Sequence, residues 1–239
     1  MNPSVASSLL SLPPKSQTIW LARHGNRHDF VYPEWFNTAQ RRYDPPLSAD
    51  GFLQAQALGQ RLKAENVQHL FVSPFLRAMQ TANEVAKIIN LPLNLEAGLG
   101  EWHNQDWMTE SPETTPQEVL AAEYPEINTR INWNYQSYLH PDYPETEADV
   151  NRRTAATIRQ LISEFKQDIL LVGHSASVFG VTKALVEDVP KDKIPLCSLT
   201  KVVWQSDRWN LEFYADTSHL SQTETKVRFC GFPDNLGAS

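Results

Sequence analysis

The chain has 239 residues, of which 41% are hydrophobic and 21% are charged, and its formal net charge is -7. This length and composition predict a globular protein, and the acidic balance disfavours nucleic acid as a partner, because Lys and Arg supply most of that affinity. No apolar stretch approaches the ~18 residues of a membrane span, and the first residues lack the features of a signal peptide. We therefore expect a cytoplasmic protein without a membrane partner, with a flexible tail over 1–16 and a single domain over 17–239.

Cysteine usage argues against two kinds of stabilising site. Cys197 and Cys230 lie outside any C-x-x-C or Cys/His pattern, so a structural zinc site is not expected. Two cysteines in a chain of this size do not form a disulfide framework either, which predicts a reducing compartment.

Short apolar runs in the first half of the chain predict buried strands over 18–22, 70–72 and 91–95. The first of these strands ends at Arg23-His24-Gly25. Ser48 predicts the N-cap of a helix, and Ser73-Pro74 predicts the cap and the first position of another. Apolar residues recur at helical spacing after both caps: Phe52, Ala55, Leu58 and Leu62, then Leu76, Met79, Ala82, Ala86 and Ile89.

Residues 103–146 differ from the rest of the chain and predict an inserted cap with short helices. The segment is rich in proline and acidic residues and has no regular hydrophobic period. Its aromatic residues favour a small core for the cap over contacts with substrate, although a lid of this kind could also exclude water. They include Trp107, Tyr124, Trp133, Tyr135, Tyr138 and Tyr143.

The last third of the chain returns to alternating elements. A long helix carrying Val150 to Phe165 precedes the clearest strand, over 168–172, which ends at Gly173-His174-Ser175. A helix to about Glu187 follows, and the runs 201–204 and 210–214 predict a hairpin.

This alternation predicts a three-layer α/β/α sandwich with a mostly parallel sheet. Ligands of such sheets bind beyond the carboxyl ends of the strands. Three polar clusters follow predicted strands, namely Arg23-His24-Gly25, Ser73 with Arg77, and Gly173-His174-Ser175. We expect the sheet to bring them together.

The residue types in these clusters suit phosphoryl transfer. Arginine donates bidentate hydrogen bonds to phosphate oxygens, and Arg23, Arg27 and Arg77 lie near predicted strand ends. A neutral imidazole such as that of His24 is a competent nucleophile, and Gly25 leaves room for an ester to approach. The arginines would remove the need for a metal, and no carboxylate cluster of metal-site type stands out in the sequence.

Four segments of the chain are informative in combination: Leu21-Ala22-Arg23-His24-Gly25, Leu47-Ser48-Ala49-Asp50-Gly51, Ser73-Pro74-Phe75-Leu76-Arg77-Ala78-Met79-Gln80-Thr81-Ala82 and Leu170-Leu171-Val172-Gly173-His174-Ser175. In this order they resemble the motifs of the histidine phosphatase superfamily, the phosphoglycerate-mutase-like proteins. The resemblance covers about residues 17 to 215. It implies a metal-independent phosphomonoester hydrolase with that family's fold and no cofactor.

The resemblance also implies a role for each site residue. His24 would be the nucleophile that forms a phosphohistidine, and Arg23, Arg77 and His174 would hold the phosphoryl oxygens. Glu101 lies where many members place the proton donor. The acid-phosphatase branch instead uses an Asp after its second His, and this chain has Ser175 there. The carboxylates that compete with Glu101 for the role are Glu96, Asp106 and Glu110.

The first motif departs from the mutase pattern. Mutases usually have a small hydroxyl residue and an Asn where this chain has Arg27 and Phe30. The Arg-His-Gly-x-Arg pattern, followed by Asp29 and Trp35, resembles the suppressors of T-cell-receptor signalling, which act on phosphotyrosine. This likeness adds Arg27 to the predicted phosphate pocket and makes mutase-type phosphotransfer the alternative function.

Two other classes remain as weaker alternatives. Gly173-His174-Ser175-Ala176-Ser177 resembles the G-x-S-x-G elbow of esterases, with Ser175 as nucleophile and His219 as its base, although the fifth residue is not Gly. A phosphate-binding module without turnover would normally lack His24 or Glu101. The substrate remains open between a small phosphorylated molecule and a phosphoprotein, and the oligomeric state is not predicted.

Overall fold

The computed structural model describes residues 16–221. Residues 1–15 of the predicted tail, Cys230 and the carboxyl end of the predicted domain therefore lie outside the described residues. No helix within 16–221 is long and apolar enough to cross a bilayer.

A six-stranded mixed sheet forms the centre of the described chain. Its strands are β1 (Gln17–Arg23), β2 (His69–Val72), β3 (Asn94–Leu95), β4 (Ile169–Gly173), β5 (Leu199–Gln205) and β6 (Arg208–Asp216). They lie in the order β3-β2-β4-β1-β5-β6. The pairings among β3, β2, β4 and β1 are parallel, whereas β5 pairs antiparallel with β1 and β6. The predicted α/β fold with a mostly parallel sheet and a carboxyl-terminal hairpin is confirmed.

Eight α-helices are present in the described chain: α1 (His28–Val31), α2 (Trp35–Thr38), α3 (Ala49–Leu62), α4 (Leu76–Ile89), α5 (Gln117–Glu123), α6 (Pro125–Arg130), α7 (Glu147–Glu164) and α8 (Ser175–Leu185). Ser48 caps α3 by accepting from the Gly51 N–H, as the sequence predicted. The segment predicted as a cap contains only the two short helices α5 and α6.

Alternating side chains of the strands divide the core into two layers. Trp20 and Ala22 of β1 belong to the cluster that includes apolar residues of α3 and α4. Ile19 and Leu21 belong to the opposite cluster, which includes apolar residues of α7 and α8. Because both faces of the parallel strands are covered, their sequences are continuous apolar runs. This arrangement is the predicted three-layer sandwich.

The third strand and two helix ends differ from the sequence expectation. Only Asn94 and Leu95 pair with β2, while Leu93 forms an isolated bridge with Ile131 of the cap. The predicted strand is therefore shorter than 91–95, because Leu93 pairs with the cap and not with β2. Two predicted helix ends lie slightly too far along the chain: α7 ends at Glu164, before Phe165, and α8 ends at Leu185, not near Glu187.

The start of α4 was also predicted wrongly. The helix begins at Leu76, and the cap acceptor is not Ser73 but the carboxylate of Asp44, which accepts from the Leu76 N–H at 2.6 Å. Asp44 also accepts from the N–H and hydroxyl of Thr115 at 2.8 and 2.7 Å. A side chain distant in sequence therefore supplies this cap, and the Ser73 hydroxyl is available to the neighbouring site.

Candidate active site

The sheet register brings the two motif histidines together. Arg23 of β1 pairs with Gly173 of β4, so the next residues of the two strands, His24 and His174, emerge side by side. Their rings are 5.2 Å apart between centroids, and the His24 N–H donates to the Gly173 carbonyl at 2.9 Å. Ser73 follows β2, and its Oγ lies 2.8 Å from Nε2 of His174. The predicted convergence of three strand ends is therefore present.

Local contacts determine which nitrogen of His24 can react. Nδ1 lies 2.8 Å from the carbonyl oxygen of Gly25, and because a carbonyl only accepts, Nδ1 must carry the hydrogen. Nε2 therefore keeps its lone pair. Burial, and next the positive charge of Arg77, hold the pKa of His24 well below its usual value. The imidazole is consequently neutral at physiological pH and suited to nucleophilic attack.

Gly25 is required by packing within the protein, and its expected role of leaving room for an ester stays a prediction. A Cβ at this position would lie 2.6 Å from the carbonyl oxygen of Gly51. The close approach is thus between the loop and the start of α3. The Gly25 N–H donates to Thr81 of α4 at 3.0 Å, which fixes the loop from the other side.

Two arginines present unused donors inside the cluster. Arg77 is 1% exposed and donates to the Tyr43 carbonyl at 3.2 Å and to Glu101 at 3.3 Å. Arg23 donates to the Ile194 carbonyl at 2.7 Å. The Nε atoms of Arg23 and Arg77 are buried without a hydrogen-bond partner. Burial lowers the pKa of each guanidinium to about 10, so both remain charged at neutral pH and their free N–H groups favour an anion.

Arg27 lies near these groups but is already paired. Its Nε and Nη2 donate to the two carboxylate oxygens of Asp29 at 2.9 and 2.5 Å, and its guanidinium lies over the Phe30 ring at 4.4 Å. Its charge is close enough to help lower the pKa of Arg77. The predicted contact of Arg27 with phosphate stays a prediction.

Glu101 is the carboxylate that reaches the cluster. Its Oε2 lies 3.2 Å from Nδ1 of His174 and 3.3 Å from Arg77, and its Oε1 accepts from the Trp102 N–H at 3.0 Å. Burial alone would raise the pKa of Glu101, but the interaction and hydrogen bond with His174 and the charge of Arg77 outweigh burial and hold that pKa well below its usual range. Burial lowers the pKa of His174 to about 4, against the attraction of Glu101.

The competing carboxylates have other surroundings. Glu96 is fully buried, where it accepts from the Gly98 N–H at 2.8 Å and from the hydroxyls of Tyr135 and Ser137 at 2.6 and 2.7 Å. Asp106 and Glu110 are exposed. Of the four candidates, Glu101 is the one that contacts His174 and Arg77.

The three converging side chains also form a donor set that a metal could use. Ligand atoms of His24, Glu101 and His174 lie within 4.8 Å of one another, and zinc accepts such ligands. The guanidinium of Arg77, however, lies 3.3 Å from both His174 and Glu101, and Arg23 adds a second positive charge nearby. These fixed cations disfavour a metal ion and favour an oxyanion.

A buried ion pair that the sequence analysis missed holds the loop carrying Glu101. Arg153 of α7 donates from Nε and Nη2 to Glu145 at 2.7 Å each. It also donates to the carbonyls of Gly98, Gly100 and Glu101 at 2.9, 3.2 and 3.1 Å. The sequence signal that could have indicated a buried Arg153 is its position three residues after Val150, on the apolar face of the helix.

We expect the Arg153→Met variant to lose about 3–5 kcal/mol of unfolding free energy, because Glu145 would remain buried without its partner. Arg152→Met is the matched control, since the adjacent Arg152 pairs with Asp149 at an exposed position and should change stability little. Urea unfolding of both variants measures the difference. Equal losses of unfolding free energy in the two variants would show that the buried pair contributes no more to stability than the exposed pair.

The buried histidines predict a pH-dependent stability. The folded-state pKa of His24 and of His174 lies below the unfolded value, so the unfolded chain binds more protons and stability falls as pH falls below about 6.5. Between about pH 7 and about pH 5.5, each histidine should cost about 1 kcal/mol, before most carboxylates titrate. We expect the His24→Asn variant to lose about 1 kcal/mol less than wild type over that range in urea titrations. The same loss in both proteins would contradict the neutral state of His24.

The esterase alternative is not supported by the geometry of its elbow. The nucleophile of such an elbow sits on a strained strand-to-helix turn, whereas Ser175 begins α8 and is not among the non-glycine residues with a positive φ. Ser177, at the fifth position of the motif, accepts from the His174 N–H at 2.8 Å and so caps the helix. The expected base, His219, has Nε2 at 3.0 Å from the Cys197 carbonyl oxygen.

Curated relatives share part of their length with this chain. It is 30% identical to the transcription factor tau 55 kDa subunit of Saccharomyces cerevisiae, over 71% of this chain and 41% of that protein. It is 27% identical to the ecdysteroid-phosphate phosphatase of Drosophila melanogaster, over 82% of this chain and 32% of that protein. It is 26% identical to the human ubiquitin-associated and SH3 domain-containing protein B, over 71% of this chain and 31% of that protein. The chain thus spans about a third to two fifths of these relatives, and the predicted likeness to the suppressor-type branch is confirmed.

Solved structures support the fold. The ecdysone phosphate phosphatase of Bombyx mori, solved with tungstate, superposes with a TM-score of 0.69 at 18% identity, covering 86% of this chain and 95% of that one. A phosphoglycerate mutase from Bacillus anthracis superposes with a TM-score of 0.61 at 21% identity, covering 86% of this chain and 95% of that one. The family model of the histidine phosphatase superfamily, branch 1, matches residues 19–217. Because that match spans most of the sequence, the chain belongs to branch 1 of the histidine phosphatase superfamily.

Proposed function

We propose that this protein is a phosphatase that hydrolyses phosphomonoesters through a phosphohistidine on His24, without a metal ion. One observation carries the proposal. A buried, neutral imidazole with Nε2 available lies in the same cluster as two guanidinium groups with unused Nε–H donors and the carboxyl group of Glu101. This combination provides a nucleophile, an anion site and a proton donor together.

The reaction would proceed in two steps. Nε2 of His24 forms a bond to phosphorus while the bond to the ester oxygen breaks, and Glu101 gives its proton to that leaving oxygen. Glu101 then removes a proton from water, the resulting hydroxide attacks phosphorus, and the bond to Nε2 breaks to release phosphate. Arg23, Arg77 and His174 hold the equatorial oxygens in both steps, where charge spreads over the phosphoryl group.

Substrate binding would prepare Glu101 for its first role. In the structure without substrate, the contacts with His174 and Arg77 keep the pKa of Glu101 low, which favours the carboxylate. A phosphate dianion placed beside Arg77 would offset the charge of that guanidinium and repel a carboxylate, and both effects raise the pKa of Glu101. Glu101 therefore takes up a proton as the ester binds and is able to donate it.

The first motif supports hydrolysis over mutase-type transfer. The similar proteins include both activities, since an ecdysteroid-phosphate phosphatase is 27% identical to this chain and a phosphoglycerate mutase superposes on it. Arg27 and Phe30 occupy the positions where mutases usually have a hydroxyl residue and Asn, and Arg27 is held against Asp29. We further propose a small phosphorylated molecule or a phosphoprotein as the partner, and a cytoplasmic location.

The first experiment measures p-nitrophenol release from p-nitrophenyl phosphate in excess chelator. We expect turnover to continue, together with a phosphoenzyme that survives base but not acid, as a phosphohistidine does. Loss of turnover on chelation, restored by a metal, would contradict metal independence. Turnover with an acid-stable phosphoenzyme would contradict attack by His24.

A further inference from the structure

A surface cavity of about 290 Å³ lies beside the candidate active site. Its lining is mostly apolar and includes Trp102, Trp107, Phe179 and Ile194. Ser175 and Asn151 supply polar atoms in the lining. A concave apolar surface with a few polar groups is the usual form of a small-molecule site, and this volume is at the lower end of the usual range.

Chain connections place this cavity next to the reacting groups. Trp102 follows Glu101, the proposed proton donor, and its N–H donates to that carboxylate at 3.0 Å. Ser175 follows His174, and the carbonyl of Ile194 accepts from Arg23 at 2.7 Å. Three residues of the lining are thus bonded to, or next in the chain to, Arg23, Glu101 and His174, which places the cavity close to the cluster. We take the group attached to the leaving oxygen to extend into the cavity.

The aromatic wall of the cavity is held in place before any ligand binds. Nε1 of Trp102 donates to the Glu145 carbonyl at 2.9 Å, and the Trp102 and Trp107 rings pack edge to face with centroids 5.0 Å apart. Glu145 is itself paired with Arg153. Little ordering of the protein is needed when a ring enters such a cavity, so less of the free energy from burying the ring is lost on binding.

The charges around the cavity oppose a second anionic group on the substrate. Glu147 and Asp192 are exposed members of the lining, and none of the described residues that line the cavity is lysine or arginine. A carboxylate or second phosphate placed here would lose its hydration without gaining a cationic partner. The negative charges of Glu147 and Asp192 would also repel it.

We propose that this cavity binds the alcohol part of the substrate, and that this part is an uncharged aromatic or alicyclic group of one or two rings in a small molecule. The inference rests on the proposed phosphatase function and narrows its substrate class. A larger ring system would extend beyond the cavity of about 290 Å³ into solvent, and a phosphorylated hydroxy acid would carry the wrong charge.

The test compares three alkyl esters whose leaving oxygens are similarly basic, namely 2-phenylethyl phosphate, glycerol 3-phosphate and 3-phosphoglycerate. Burial of the phenyl ring predicts a kcat/KM for 2-phenylethyl phosphate about tenfold or more above that for glycerol 3-phosphate. We expect 3-phosphoglycerate to be the poorest substrate. Equal values for the three esters, with turnover that depends on His24, would overturn this inference and leave the phosphatase proposal standing.

Variants of the cavity sharpen the comparison. Phe179→Ala should lower the preference for 2-phenylethyl phosphate over glycerol 3-phosphate about tenfold. Leu53→Ala is the matched control, because Leu53 is an exposed apolar residue of α3 outside the cavity lining, and it should keep the wild-type preference. Glu147→Lys should raise the relative rate on 3-phosphoglycerate. An unchanged preference in Phe179→Ala would overturn the assignment of the cavity.

Calorimetry with the His24→Ala variant makes the test independent of turnover. The variant should bind 2-phenylethyl phosphate about tenfold more tightly than glycerol 3-phosphate. Equal affinities would overturn the cavity assignment even if the wild-type protein proved inactive. Tighter binding in a protein without turnover would support the cavity and contradict only the phosphatase function.

Discussion

The His24→Ala variant should lose about 10⁴-fold or more of kcat/KM for p-nitrophenyl phosphate, because the nucleophile of the proposed covalent step is removed. The other groups of the cluster would remain, but positioning and charge alone cannot form the intermediate. Steady-state release of p-nitrophenol in excess chelator measures the loss, and the labelled phosphoenzyme should disappear with it.

A matched control separates chemistry from folding in this experiment. His69 begins β2, at the opposite edge of the sheet from the site, so His69→Ala should keep nearly full activity. Circular dichroism and thermal unfolding should show that both variants are folded. A folded His24→Ala variant with activity close to that of His69→Ala would refute His24 as the nucleophile.

The Glu101→Gln variant should lose about 10²–10⁴-fold of kcat/KM for alkyl phosphates, because glutamine keeps the shape of the side chain but cannot protonate a leaving oxygen. This ratio reports the steps up to formation of the phosphoenzyme, so it excludes the later role of Glu101 as the base for water. The loss should be much smaller for p-nitrophenyl phosphate. Its nitrophenolate departs without a proton, so the first step no longer needs the acid. This dependence on the leaving group separates proton donation from a purely structural effect.

Parallel kinetics with 2-phenylethyl phosphate and p-nitrophenyl phosphate measure this dependence. Glu110→Gln is the matched control, because Glu110 is an exposed carboxylate of the same region that lies 3.8 Å from Arg42. We expect that control to behave as wild type on both substrates. Equal losses on the two substrates in Glu101→Gln would assign Glu101 a role other than general acid.

The positions of most strands in the sheet could be predicted from local sequence patterns. Strands buried on both faces need apolar side chains at every position, so β1, β2 and β4 appear as short apolar runs. The carboxyl ends of parallel strands share one edge of a sheet, so the polar residues after those runs could be predicted to meet. The structure places His24 and His174 together, as that rule requires.

Long-range contacts could not be predicted in the same way. Asp44 caps α4 across 32 residues of chain, and Asn94 pairs with Phe71 while Leu93 turns to Ile131. These partners depend on how separate segments pack, which no local period records. The errors at the start of α4 and in the length of β3 both follow from that dependence.

The sequence by itself determined the fold class, the three motif clusters and the candidate nucleophile, because these depend on local periodicity and on the residues that follow each strand. The tertiary structure decided which carboxylate enters the site, which nitrogen of His24 is available, and that Arg27 is paired with Asp29. It also formed the aromatic cavity from separate segments of the chain. Burial and hydrogen-bond partners are properties of packed neighbours, so they exist only once the chain has folded.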